Sequence, residues 1–375
     1  MTEKEMLEEF VELVSIDAAS GKEADVAQIV KAKLAAMGFQ VSEDGAGSSF
    51  GGDCGNVLAV REGELKGAVL LCSHLDRVPQ GLGIKPVEKE GIVYSDGTTI
   101  LAADDLSGVC TILAGVRKVL AAKIPLPRLE VLFTVGEEAG LLGAKFMDMS
   151  LLQSKIGYVF DSPGSVGRFI NAAPGSYSLQ GELTGLAAHA GNEPEKGLDA
   201  AKAMCEILAT IKSGRLDEES TANFPVLSTG STVTNVVCDY ALFKGETRSR
   251  NKEKLEAYVA YFENHCKEIA AKHGVQLKLT DKEKMLPFFI SEEEQVLRLA
   301  KAACEKLKIN WVINAGGGGM DANIFNAKGM NCIGVATGYT RNHTKQEQLV
   351  LADFYKAAHL AEELIRGYAL ECPGK

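Results

Sequence analysis

Short runs of consecutive apolar residues alternate with helical patterns along the first part of the chain. The clearest runs cover residues 57–60, 68–72, 129–135 and 156–160, and residues 107–120 between them carry apolar side chains at helical spacing. Strands that are apolar on both faces and that alternate with helices are typical of a mostly parallel sheet covered on both sides. The pattern therefore predicts an α/β fold with a doubly wound sheet.

Two capping-box patterns precede these strands and predict two N-terminal helices. Thr2 with Glu5 forms the first pattern, and Ser20 with Glu23 forms the second. Apolar residues at helical spacing follow Glu23, and Gly38 is expected to end the second helix.

The periodicity changes near residue 174, where an alternating strand pattern begins. Residues 176–183, 198–211, 224–247, 252–272 and 275–279 read in order as strand, helix, two strands, helix and strand. This β-α-β-β-α-β order is typical of a small α+β domain. The doubly wound pattern resumes at residue 291, so we predict a catalytic domain of residues 1–173 and 285–375 with an inserted lid domain of residues 174–284.

Composition and charge exclude several classes of protein. The 375 residues include 40 basic and 50 acidic side chains, a net charge of −10, which argues against a nucleic-acid partner. The nine cysteines form no CxxC pairs and are expected to be reduced thiols of a cytoplasmic protein. No signal peptide and no run of 18 apolar residues is present, so no membrane partner is expected.

Histidine and carboxylate side chains follow several of the predicted strands. The set consists of His74, Asp76, Glu137, Glu138, Asp161 and His343, and Asp104 joins it from the segment before the helix predicted at residue 107. A single carboxylate after a strand is usually a helix cap or a solvated loop residue. The carboxyl ends of parallel strands meet at one edge of a sheet, however, and so many carboxylates repel one another unless a cation neutralises them. The pattern therefore predicts a metal centre.

The number of candidate ligands favours two metal ions over one. Two histidines and at least four carboxylates exceed what a single tetrahedral zinc ion needs, and a bridging carboxylate can hold two divalent ions. Adjacent Glu137 and Glu138 suit a division in which one binds metal and the other acts as general base. Asp76 lies two residues after His74 on an extended segment, where it can orient the imidazole.

These motifs, in this order, resemble a known family. The segments SHLD (73–76), AADD (102–105), GEE (136–138), FDSPG (160–164) and NHT (342–344) are similar to those of the dizinc metallopeptidases related to peptidase T, glutamate carboxypeptidase, aminoacylase and succinyl-diaminopimelate desuccinylase. The resemblance covers nearly the whole chain, including the lid, and it is greatest to the peptidase-T-like, tripeptidase-like branch.

The resemblance implies a role for each matched residue. His74 and Asp161 would bind one Zn²⁺, Glu138 and His343 the other, and Asp104 would bridge the two ions, with Mn²⁺ or Co²⁺ as substitutes. Asp76 would support His74, Glu137 would be the general base, and the peptide bond after Asp104 would be cis.

The resemblance also implies functional residues outside the metal-binding set. His189, in the segment LAAHAG, would polarise the scissile carbonyl, often from the partner subunit of a homodimer formed through the lid. Asn235 and Arg248 would bind polar groups of the substrate. Gly318, in the Gly316–Gly319 run, would turn a backbone amide to the substrate. A phosphate-binding loop is excluded there because no Gly-Lys-Ser/Thr follows, whereas a plain turn stays open.

The function expected from the sequence is that of a cytoplasmic zinc-dependent exopeptidase that hydrolyses short peptides, an aminopeptidase or tripeptidase. One alternative is an N-acyl amino acid deacylase or desuccinylase that uses the same two-metal site. A second alternative is a binding protein with a relic site, which the complete set of candidate ligands argues against. The side-chain preference and the direction of cleavage stay open.

Overall fold

A computed structural model describes residues 1–374 of the chain, and these residues form two compact units. The first unit comprises Met1–Ala172, Phe289–Gly316 and the described residues from Met320 onward. The second unit comprises Ala173–Phe288 and Gly317–Gly319. The segment that we predict to be a lid, residues 174–284, lies within the second unit.

Helices occur in both units, and their bounds follow in chain order. They are α1 (Glu3–Val14), α2 (Ala24–Ala36), α3 (Ala103–Ala121), α4 (Leu142–Phe146), α5 (Ala200–Thr210), α6 (Lys252–His273), α7 (Gln295–Leu307), α8 (Asp321–Ala327) and α9 (Leu351–Glu371). Among residues 1–374, none of the helices combines the length and the apolar character needed to cross a membrane.

The strands include the four that the apolar runs predict in the first part of the chain. They are β1 (Gln40–Glu43), β2 (Val57–Arg61), β3 (Ala68–His74), β4 (Pro86–Lys89), β5 (Ile92–Ser95), β6 (Arg128–Thr134), β7 (Ile156–Ser162), β8 (Arg168–Ala173), β9 (Gly175–Thr184), β10 (Gly214–Arg215), β11 (Ser220–Ser228), β12 (Tyr240–Ser249), β13 (Gln276–Met285), β14 (Phe288–Phe289), β15 (Val312–Ala315), β16 (Asn331–Ala336), β17 (Tyr339–Thr340) and β18 (Gln348–Val350).

The central sheet follows the order β1-β2-β6-β3-β7-β16-β8-β14, and β15 pairs with β8. β3 pairs in parallel with both β6 and β7, and β16 pairs in parallel with β7. β1 and β2 extend the sheet with antiparallel pairing. The predicted α/β fold with a mostly parallel central sheet is therefore confirmed.

The apolar sequence of β3 reflects its place in the interior of the first unit. All seven of its residues are buried, because β6 and β7 flank the strand and α3 packs against it. α3 begins at Ala103, before the predicted residue 107. Its Asp104 and Asp105 have non-helical backbone angles and are joined by a cis peptide bond, as the family resemblance implies.

The capping box at Thr2 and Glu5 is confirmed, whereas the one predicted at Ser20 and Glu23 is wrong. α2 begins at Ala24, and Glu23 stands at its N-cap without a side-chain capping bond. The Glu23 carboxylate instead accepts hydrogen bonds from the backbone N–H groups of Gly21 and Gly136, both at 2.9 Å. Hydrogen bonds that the Glu23 carboxylate accepts from backbone groups outside α2 thus take the place of the predicted capping bonds.

The second unit contains a five-stranded sheet of order β10-β11-β12-β9-β13. β9 pairs antiparallel with both β12 and β13, and α5 and α6 pack against the sheet. Leu179, Phe243 and Phe262 are fully buried in the resulting core. The strands β9, β11, β12 and β13, with α5 and α6 between them, follow the β-α-β-β-α-β order read from the sequence.

Candidate active site

Two candidate ligands are carried by neighbouring parallel strands of the central sheet. His74 is the last residue of β3, and Asp161 is the next-to-last residue of β7. The parallel register pairs Cys72 with Val159, so that His74 and Asp161, each two residues further on, lie at the same level. Both side chains therefore leave the sheet at its carboxyl edge, where α/β folds place their ligands.

The remaining candidate ligands come from turns at the same edge. β6 ends beside His74, and Gly136 then adopts a φ of 62°, a left-handed conformation that glycine reaches without strain. This turn brings Glu137 and Glu138 to the edge. His343 also has a positive φ, 61°, and its loop follows β17.

The carboxylate of Asp104 lies between the two imidazoles. Its Oδ1 is 3.2 Å from His74 Nε2, and its Oδ2 is 3.3 Å from His343 Nε2. Asp161 Oδ1 lies 3.9 Å from His74 Nε2, and Glu138 Oε1 lies 2.8 Å from His343 Nε2. The five side chains thus form two groups that share Asp104, and the ligand atoms within each group lie within 4.8 Å of one another.

The electrostatics of the group fit divalent cations. Burial and the charge of Asp104 raise the pKa of Asp161 well above its ordinary value, and burial raises the pKa of Glu137 in the same direction. Burial would also raise the pKa of Asp104, but the neighbouring imidazoles of His343 and His74 hold it well below the usual range. Carboxylates this close ionise together only when positive charge is supplied. The donor set, two imidazole nitrogens and several carboxylate oxygens, is one that Zn²⁺ accepts.

Asp76 holds the imidazole of His74 and the backbone of the GEE segment together. His74 Nδ1 lies 3.0 Å from the main-chain oxygen of Asp76, which can only accept, so Nδ1 carries the proton and Nε2 is free to bind a metal. The Asp76 carboxylate accepts from the N–H groups of Glu137, at 2.9 Å, and Glu138, at 3.1 Å. Ser20 Oγ donates to the same carboxylate at 2.5 Å.

Sequence reasoning missed two further contacts to the candidate ligands. Tyr339 donates its hydroxyl hydrogen bond to Asp161 Oδ1 at 3.1 Å, and Asn342 Nδ2 donates to Asp104 Oδ2 at 2.6 Å. Both residues precede His343 in the same segment. Their closeness in sequence to that histidine is the one signal that would have pointed to them.

Among the remaining candidates, His189 and Asn235 lie side by side in the second unit. The backbone of Asn235 accepts a hydrogen bond from Ala190 N at 3.0 Å. His189 is exposed, and its Nδ1 accepts from the N–H groups of Gly191 and Asn192, both at 3.2 Å. Because these backbone groups can only donate, Nε2 carries the imidazole proton and is free to donate it outward.

Arg248 and Gly318 also belong to the second unit, but Arg248 is not near His189 within it. Arg248 pairs with Ser176 at one end of β12, whereas the segment containing Asn235 precedes Tyr240 at the other end. Its guanidinium forms two hydrogen bonds with the Glu246 carboxylate, at 2.8 and 3.1 Å. Gly318 is exposed, with space around its Cα.

Comparison with known proteins places this arrangement in a family. The model of "Peptidase family M20/M25/M40" matches residues 70–367. The chain is 36% identical to the Bacillus subtilis protein YqjE over 97% of this chain and 98% of that protein. It is 34% identical to the solved structure of aminopeptidase PepT from Bacillus cereus, with a TM-score of 0.92 and coverage of 98% of this chain and 99% of the other.

A second solved structure, a tripeptidase from Staphylococcus aureus, is 30% identical and gives a TM-score of 0.94 over 99% of both chains. The similarity therefore extends over both units and is not limited to the motifs at the sheet edge. The chain belongs to peptidase family M20/M25/M40, on its peptidase-T-like side.

Proposed function

We propose that this protein is a zinc-dependent exopeptidase that hydrolyses short peptides. The observation that carries the proposal is the division of Asp104 between two imidazoles, with one carboxylate oxygen facing His74 and the other facing His343. A carboxylate that offers one oxygen to each of two ligand groups is suited to bridge two metal ions. The similarity to an aminopeptidase and to a tripeptidase supports the choice of peptides as substrates.

In this proposal each chain holds two Zn²⁺ ions. His74 and Asp161 would hold one ion, Glu138 and His343 would hold the other, and Asp104 would be shared by both. Bound zinc lowers the pKa of a coordinated water toward neutrality and polarises a carbonyl group. The nine free cysteines support a reducing compartment, which for this enzyme we propose is the cytoplasm.

Glu137 is the proposed general base. Its side chain is 9% exposed and lies within the group that also contains His74 and Glu138. The Glu138 carboxylate contacts His343 and is the proposed ligand of one ion. Glu137 can therefore accept a proton from the attacking water and deliver it to the nitrogen of the leaving amine. The hydrogen bond from Glu137 N to Asp76 fixes the backbone from which this side chain projects.

The second unit supplies the proposed substrate contacts. The Nε2–H of His189 can stabilise the negative charge that develops on the scissile carbonyl oxygen. Asn235, Arg248 and the backbone of Gly318 would bind polar groups of the peptide. We propose that two chains form a homodimer through their lid domains and that His189 acts on the active site of the partner.

The substrate class can be tested on the zinc-loaded protein. We expect tripeptides and dipeptides to be hydrolysed with a kcat/KM well above that for N-acetyl and N-succinyl amino acids, and chelator to remove this activity. Product analysis would show which end of the peptide is released. A preference for the N-acyl amino acids would overturn the peptidase assignment in favour of a deacylase or desuccinylase, whereas activity that resists a strong chelator would overturn the metal mechanism.

Metal content provides a test that does not depend on activity. We expect elemental analysis of the zinc-loaded protein to give two ions per chain, because the two ligand groups share Asp104. Asp104→Asn should reduce the binding of both ions. His359→Ala is a control, since His359 is exposed, is not a candidate ligand and has its Nδ1 3.8 Å from the Glu362 carboxylate. A zinc content near zero in the unmodified protein, or equal loss in both variants, would contradict the proposed site.

A further inference from the structure

A buried carboxylate outside the candidate metal ligands contacts the backbone of the turn that carries Asp104. Glu347 is 1% exposed. Its Oε2 accepts hydrogen bonds from Leu101 N at 2.9 Å and Ala102 N at 3.0 Å, and its Oε1 accepts from Asp104 N at 3.0 Å. One side chain, 243 residues further along the chain, thus binds three amides of a single turn.

The turn at the start of α3 needs an acceptor from elsewhere. Ala102 has a φ of 56°, in the left-handed region, and caps the helix without a side-chain hydrogen bond. Asp104 and Asp105 depart from helical angles as well. The first N–H groups of a helix have no partner within the helix, and buried N–H groups require one. The two oxygens of Glu347 fill this need.

The segment that contains Glu347 also contacts the side chain of Asp104. Asn342 Nδ2 donates to Asp104 Oδ2 at 2.6 Å, and His343 Nε2 lies 3.3 Å from the same oxygen. The loop between β17 and β18 therefore holds Asp104 at two points, with Glu347 at the main chain and Asn342 at the carboxylate. A shift of the main chain would move both carboxylate oxygens relative to the two imidazoles.

From these contacts we infer that Glu347 is a positioning residue for the bridging carboxylate, an inference that rests on the proposed metal centre. Both Glu347 oxygens accept hydrogen bonds from backbone N–H groups, and Glu347 is not a member of the candidate metal-binding groups found among the described residues. It acts through Asp104, whose oxygens it holds between His74 and His343. Groups that orient metal ligands in this way change metal affinity when they are replaced.

The test is Glu347→Gln, which keeps the shape but turns an amide NH₂ toward the N–H donors. We expect zinc affinity, measured by competition with a chromogenic chelator, to fall about 10–100-fold. In the metal-free protein, the amides of Leu101, Ala102 and Asp104 should exchange hydrogen faster. At saturating zinc, kcat should recover partly while KM stays close to that of the unmodified enzyme.

Glu130→Gln is the matched control. Glu130 is fully buried and accepts backbone hydrogen bonds from Gln153 N at 2.8 Å and Ser154 N at 3.1 Å. It lies on β6 opposite Leu70, four residues before the level of His74. This variant should lower the free energy of unfolding, because it too removes a buried carboxylate. It should leave unchanged the zinc affinity and the rate of amide hydrogen exchange in the turn at the start of α3.

The outcomes separate this inference from the proposed function. If Glu347→Gln and Glu130→Gln lose stability alike and both keep full zinc affinity, Glu347 is only structural and the inference is overturned, while the metal centre stands. If the unmodified protein binds no zinc, both the metal centre and the inference fail. If Glu347→Gln does not fold, Glu347→Asp provides the test, because it keeps the charge but shortens the side chain by one methylene. It should also lose zinc affinity, but by a smaller factor.

Discussion

Replacing Glu137 by glutamine should lower kcat by at least about 10²–10⁴-fold, the usual contribution of a general base. Glutamine keeps the volume of the buried side chain but cannot accept the proton of the attacking water. The backbone hydrogen bond to Asp76 is unaffected by the change. The zinc content should therefore stay at two ions per chain while turnover under saturating peptide is nearly lost.

Glu138→Gln is the matched variant, since it removes the same charge from the adjacent residue. Glu138 Oε1 lies 2.8 Å from His343 Nε2, within the ligand group that shares Asp104. Its replacement should weaken zinc binding, and part of the lost activity should return when zinc is added in excess. If both variants lost zinc equally, and turnover followed zinc occupancy in each, the assignment of separate roles to the two glutamates would be wrong.

The candidate metal ligands that could be predicted from the sequence have one property in common. Each of them follows a strand of the central sheet or stands at the start of a helix that packs on it. Parallel pairing places the ends of β3, β6 and β7 at one edge, so His74, Glu137 and Asp161 could be expected at that edge from the sequence. The apolar runs of these buried strands identify them without any knowledge of side-chain conformation.

The supporting hydrogen bonds could not be predicted in the same way. Ser20 has the sequence pattern of a helix cap, yet its hydroxyl donates to Asp76 across 56 positions of sequence. Glu347 lies in a charged segment, where a solvated side chain is the ordinary expectation, but it is buried against the α3 turn. Such contacts depend on how loops that are distant in sequence pack together, and they cannot be predicted from the secondary-structure propensities of the local sequence.

The position of His189 within the second unit bears on how it can act. The chain enters this unit beside Ser249 and Arg248, which pair with Gly175 and Ser176 at the start of β9. His189 pairs with Val236, beyond the opposite end of β12. At about 3.3 Å per residue, the eight steps from Arg248 to Tyr240 alone span roughly 26 Å. Arg248 and His189 therefore lie far apart within the second unit, a separation consistent with our proposal that His189 acts on the partner's active site.

A mixing experiment distinguishes a site shared between chains from one within a single chain. His189→Ala and Glu137→Gln should each be nearly inactive alone, since one removes the proposed donor to the carbonyl oxygen and the other removes the base. If His189 serves the partner, a mixed dimer contains one site with both residues intact. Equal mixing with free subunit exchange should then restore roughly a quarter of the unmodified rate, because half of the dimers are mixed and one of their two sites works.

The control mixture combines Glu137→Gln with Asp104→Asn, two changes on the metal-binding side of the site. Both residues serve only the site of their own chain, so an intact copy on one chain cannot replace the lost one on the other. Subunit exchange should therefore restore no activity. Subunit exchange itself can be followed by labelling one variant with a fluorophore and the other with an acceptor. Recovery in the first mixture but not in the control would support a catalytic dimer in which His189 crosses to the partner. Demonstrated exchange without recovery in the first mixture would mean that His189 serves its own chain or has no part in catalysis, because only a histidine that crosses between chains can be supplied by a subunit whose own base is missing.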